Sequence, residues 1–78
     1  MIYIYLNIYP NGFMYVWSHK WSGDGLDPNY YGSSHVAARY GWKPCNIRIL
    51  QEVDEVKSVL NSEHYWIERF ASRYGLLS

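Results

Sequence analysis

IYIYLNIYPNGFMYVWSHK, residues 2–20, decides the fold. Ile2, Ile4, Leu6 and Ile8 alternate with Tyr3, Tyr5, Asn7 and Tyr9. Period-two alternation of β-branched and aromatic residues predicts a strand with two unlike faces. Pro10-Asn11-Gly12 follows. Proline presets φ for a turn and glycine accepts the left-handed position that closes a three-residue hairpin loop, so a second strand is expected over roughly 13–20. That loop sets Tyr9 opposite Phe13, Asn7 opposite Tyr15, Tyr5 opposite Trp17 and Tyr3 opposite His19. One face then carries Ile4, Leu6, Ile8, Met14 and Val16, and the other carries the aromatic, hydrogen-bonding side chains. A two-residue Asn-Gly loop would slip the register and mix the two sets, which favours the longer loop. The aliphatic face is core; the aromatic face is either amphipathic cover or a site.

Downstream, residues 21–32 hold Gly23, Gly25, Pro28 and Gly32 among Asp and Asn, and read as a loop. Ser33 or Ser34 can cap a short helix running to about Tyr40 and stopped by Gly41, and Pro44 forbids its continuation. Residues 46–52 alternate Ile47 and Ile49 with Arg48 and Leu50 and predict a third strand. Asp54 is expected to cap the longest helix, about 55–73, ended by Gly75. The order β-β-α-β-α gives an α+β fold: a three-stranded antiparallel sheet with flanking helices, in a single domain over 1–78. The last helix has an apolar stripe of Val56, Val59, Leu60, Trp66, Ile67, Phe70 and Tyr74, with Glu63 in its middle. A carboxylate there calls for a partner, because an unpaired buried charge is costly.

At 78 residues there is room for one small core and no second module. Seven Lys and Arg balance seven Asp and Glu, which removes a domain-wide basic footprint for nucleic acid. The charge is unevenly spread. Lys20, Arg39, Lys43 and Arg48 outnumber Asp24 and Asp27, whereas acids dominate from residue 49 onward, leaving room for a small positive patch. The lone Cys45 cannot form an intramolecular disulfide, and His19, His35 and His64 lack zinc-site spacing. Ser33-Ser34 reads as a helix cap rather than a nucleophile. MIYIYLNIYP has neither a basic leader nor a long apolar run, so a cytoplasmic protein outside the membrane is expected.

These segments together resemble the GIY-YIG endonuclease superfamily in its small phage and homing type. Tyr3-Ile4-Tyr5 stands where the family has its first motif. Asn11-Gly12-Phe13-Met14-Tyr15-Val16-Trp17 stands where it has the second-motif hairpin. Leu26-Asp27-Pro28-Asn29-Tyr30-Tyr31-Gly32-Ser33-Ser34 resembles a loop of the phage branch, Arg39 follows on a helix, and Glu63-His64-Tyr65-Trp66-Ile67 resembles the family's last helix. Two departures stand out: Trp17 replaces the second-motif glycine, and the first-motif glycine is absent.

The resemblance implies hydrolysis of a DNA phosphodiester with Mg²⁺ or Mn²⁺. By that resemblance Glu63 is the metal ligand, Arg39 binds the scissile phosphate, and Tyr5 and Tyr15 are the motif tyrosines, with Tyr5 positioning or deprotonating the attacking water. His19, Lys20, Lys43 and Trp17 are the expected substrate contacts. A metal and an arginine fork neutralise the charge that builds on phosphoryl oxygens, and Mg²⁺ keeps enough waters for one carboxylate to hold it. DNA is the implied partner, with targeting supplied by a homodimer or a protein partner. This reading expects the charged groups of Glu63 and Arg39 within about 10 Å, in one concavity floored by the tyrosine face. A second reading takes Trp17 and the missing glycines as marks of a repurposed, catalytically inactive cleft. That cleft would bind a nucleotide or single strand by stacking, or a host protein as a small phage-encoded inhibitor.

Overall fold

The computed structural model describes residues 2–20, 22, 30–32 and 34–71. Strands β1 (Ile2–Ile8), β2 (Met14–Lys20) and β3 (Asn46–Val53) form one antiparallel sheet in the order β2-β1-β3. Helices α1 (His35–Tyr40) and α2 (Val59–Ala71) complete the β-β-α-β-α order expected from the sequence. Among the described residues no helix is long and apolar enough to cross a membrane.

The hairpin has the register that its face separation demands. Asn7 pairs with Tyr15, Tyr5 with Trp17 and Tyr3 with His19. The loop closes through Tyr9 N–H to the Phe13 carbonyl and Gly12 N–H to the Tyr9 carbonyl, both at 2.9 Å. Gly12 takes a φ of 90°, which a residue without Cβ adopts at little cost. Ile2, Ile4, Leu6 and Val16 form one buried cluster with Val53, and α2 covers it with Val59, Trp66, Ile67 and Phe70. Tyr3, Tyr5 and Trp17 form a second cluster on the opposite face, flanked by Tyr15 and Ile47.

Strand β3 holds a departure from simple alternation. Its register against β1 shifts between Ile4 and Tyr5: Gln51 pairs with Ile4, but Ile49 pairs with Tyr5. Leu50 is the extra residue of this bulge. Ile47 and Ile49 are thereby assigned to the aromatic face, while Gln51 and Val53 stay on the aliphatic one.

Helix α1 is short and well capped. Ser34 Oγ accepts from Ala37 N–H at 3.3 Å, and Gly41 is left-handed at φ 68°. Gly41 N–H reaches the Ala38 carbonyl and Trp42 N–H the Ala37 carbonyl, the paired closure of a Schellman motif. The long helix starts differently from expectation. Asp54 does not cap it; Glu55 precedes a 3₁₀ turn, Val56–Ser58, with no side-chain cap, and α2 continues from there. The tighter turn changes the angular phase of the first residues. Val56 is 72 % exposed and Leu60 62 % exposed, so neither belongs to the packed stripe. Tyr74 and Gly75 lie outside the described residues.

Candidate functional site

The aromatic face is organised around Asn7, a fully buried amide at the centre of the sheet. Its Oδ1 accepts from Trp17 Nε1 at 2.8 Å. Its Nδ2 donates to the Tyr31 carbonyl at 2.7 Å and to the Tyr9 hydroxyl at 3.4 Å. A buried amide with donor and acceptor both engaged ties strand β1 to β2 and to the segment before α1. Burial raises the Tyr9 phenol above its ordinary value; the Asn7 hydrogen bond opposes that, and neighbouring Tyr15 and Tyr31 reinforce it.

Trp17, the residue in place of the motif glycine, is 4 % exposed and lies over Tyr5 with ring centroids 4.3 Å apart. Tyr5 has no exposed surface. The backbone of Gly32 presses on the same rings from outside. A methyl at Gly32 would lie 2.8 Å from Tyr15 Cε2 and 3.2 Å from the Trp17 indole, and the residue holds φ 91°. His19 continues the ring cluster, 6.2 Å from Trp17 and 4.5 Å from Tyr30. The face is filled by its own side chains and by the 30–32 segment, so a phosphate has no approach to Tyr5.

The residues expected to share one concavity are divided between two faces. Tyr5, Tyr15, Trp17 and His19 occupy the aromatic face. Arg39 is exposed on α1, which borders that face through Ala37 and Ala38 beside Tyr9 and Tyr31, and Lys43 follows it there. Glu63 is on α2, which packs on the aliphatic face, in a groove with Ile2, Ser18, His19 and Lys20. The expectation that Glu63 and Arg39 meet over a tyrosine floor is therefore corrected. Glu63 falls in the middle of the helical stripe as periodicity required, but that stripe faces the aliphatic side, where Val59, Trp66, Ile67 and Phe70 pack on the Ile2, Ile4, Leu6 and Val16 cluster. His19 and Lys20, neighbours on β2, both line the groove that holds Glu63, although the His19 ring lies near Trp17 and Tyr30.

Among the described residues no group of three His, Cys, Asp or Glu gathers to hold a metal, so Glu63 would be the single carboxylate offered to one. Glu63 is half-buried in its groove, Lys20 and His19 line the same groove, and no second carboxylate joins it among the described residues that line it.

What the aromatic side offers instead lies at its hairpin end. Trp42, placed by the Gly41 closure, stacks with Phe13 at 5.5 Å and 22° and with Tyr40 at 5.3 Å and 23°. Tyr9 lies 6.2 Å from the same indole. Beside this row is a cavity of about 480 Å³ lined by Tyr9, Tyr30, Tyr31, Trp42 and Lys43 among others. Phe13, Tyr40 and Trp42 were not singled out from the sequence; the available signal was the run Tyr40-Gly41-Trp42-Lys43, two aromatic residues and a cation around a helix stop. The loop residues Leu26 to Asn29 and Ser33 of the resemblance lie outside the described residues. No protein-family model, curated protein or solved structure matches this chain.

Proposed function

We propose that this chain is a GIY-YIG-like domain that binds nucleic acid without cutting it. The observation that carries the reading is the Trp17 indole, buried over Tyr5 and hydrogen-bonded to Asn7. The tyrosine that would handle a water is sealed, and the carboxylate that would hold a metal is across the sheet from it. A phosphodiester therefore meets neither group in one place, whereas the exposed rings and Arg39 and Lys43 suit binding.

The test pairs two assays. Fluorescence anisotropy with labelled oligonucleotides at low ionic strength should show binding that is unaffected by EDTA. A supercoiled plasmid incubated with Mg²⁺ or Mn²⁺ should stay intact. Metal-dependent nicking that Glu63→Gln abolishes would overturn this reading in favour of the nuclease. Absence of binding to any oligonucleotide would overturn it outright.

A further inference from the structure

We infer that the Phe13–Trp42–Tyr40 row is a stacking platform for unpaired bases, and that the nucleic acid bound is single-stranded. The inference rests on the binding reading above and adds the form of the ligand and its place. Three observations converge on it. The first is the row itself: Trp42 is stacked with both neighbours at near-parallel angles, while Phe13 keeps 40 % and Tyr40 63 % of its surface exposed. Rings held parallel but left open to water present π-faces at the level where further rings can add, and every base has such a face.

The second observation is charge. Arg39 and Lys43 bracket Tyr40 and Trp42 in sequence, and both are exposed. The five acidic residues among the described ones lie elsewhere. Glu52 pairs with Tyr3 at the far end of β1, Asp54 and Glu55 follow β3 there, and Glu63 and Glu68 are on α2. Among the described residues this end is thus cationic and aromatic, which is where a polyanion with exposed bases would settle.

The third is the adjoining cavity. Its volume, about 480 Å³, lies within the range of small-ligand sites, and Tyr9, Tyr30, Tyr31 and Trp42 line it together with Lys43 and small residues of α1. A base leaving the row can enter it with its phosphate held by Lys43. A duplex cannot use either feature, because its bases already stack on one another and present only edges and backbone.

The experiment compares a short labelled oligothymidylate with a duplex of the same length, titrated with the full chain and read by anisotropy and tryptophan quenching. Tyr40→Ala, Lys43→Gln and Glu68→Gln are titrated alongside, with circular dichroism confirming that each is folded. The single strand should bind at least about tenfold more tightly than the duplex, and Tyr40→Ala should weaken it by roughly fivefold or more, the usual range for loss of one base–aromatic stack. Lys43→Gln should lower the slope of log affinity against log salt by about 0.7, one phosphate contact on a single strand. Glu68 is exposed on α2, so Glu68→Gln should leave binding unchanged. Equal affinity for strand and duplex overturns the inference while leaving nucleic-acid binding standing. Binding that ignores both Tyr40→Ala and Lys43→Gln overturns the placement. No binding to either ligand overturns the broader reading, and this inference with it.

Discussion

Replacing Trp17 by Phe tests whether the filled aromatic face is held by chemistry or only by bulk. Phenylalanine keeps a ring against Tyr5 but removes the Nε1 donor that Asn7 Oδ1 accepts at 2.8 Å. Asn7 is fully buried, so no water replaces the lost donor. The lost bond contributes about 1 kcal/mol net, and the stranded acceptor adds roughly 1–3 kcal/mol. The expected destabilisation is thus about 2–4 kcal/mol, against a total of about 4–12 kcal/mol for a chain of this length. In thermal melts this corresponds to a fall of roughly 10–25 °C. Urea unfolding followed by far-ultraviolet circular dichroism should show a lower midpoint with an unchanged slope. Asn7→Leu should destabilise as well, since it strands the Trp17 indole N–H and the Tyr31 carbonyl. The double variant should lose at least about 1 kcal/mol less than the sum of the two, because the second change removes a partner that is already unpaired. A coupling below about 0.5 kcal/mol would refute the hydrogen-bonded hub and reduce Trp17 to a space-filler.

Three further outcomes follow from the same geometry. Gly32→Ala should destabilise by roughly 2–5 kcal/mol, combining strain at φ 91° with a methyl 2.8 Å from Tyr15; a melt displaced by less than about 1 kcal/mol would mean that the 30–32 segment does not press on the rings. Ser34→Ala should cost about 1 kcal/mol through loss of the α1 cap and Ser34→Thr should restore most of it, so equal melts for all three proteins would refute the cap. Tyr9 gives a pH signature. Its folded phenol holds the proton more tightly than the unfolded one, so its contribution is complete below pH 10.0 and is lost as pH rises from there through the raised folded value. Tyr9→Phe should flatten the alkaline fall in melting temperature, and an unchanged slope would show that other tyrosines cause it.

The two-faced hairpin was legible in residues 2–20 because side chains alternate with a period of two and because a Pro-Asn-Gly loop admits a register that keeps the faces pure. The short helix was equally legible, since Ser34 and Gly41 are local signals that act on the backbone next to them. Glu63 was correctly placed in the middle of a stripe, because helical spacing is a property of the segment alone. Which side of the sheet that stripe would cover is a tertiary decision. The helix took the Ile4–Leu6–Val16 face and so carried Glu63 away from Tyr5 and Arg39. Strand β3 repeats the lesson: alternation puts Ile47, Ile49, Gln51 and Val53 on one face, and a bulge at Leu50, decided by pairing with β1, divides them between two. The Phe13–Trp42–Tyr40 row joins a hairpin turn to a helix stop far from it in sequence, and no local pattern specifies such a contact. Sequence periodicity fixed the angular position of each side chain on its own element; only the packing of elements against one another, driven by burial of apolar surface, determined which side chains share a face.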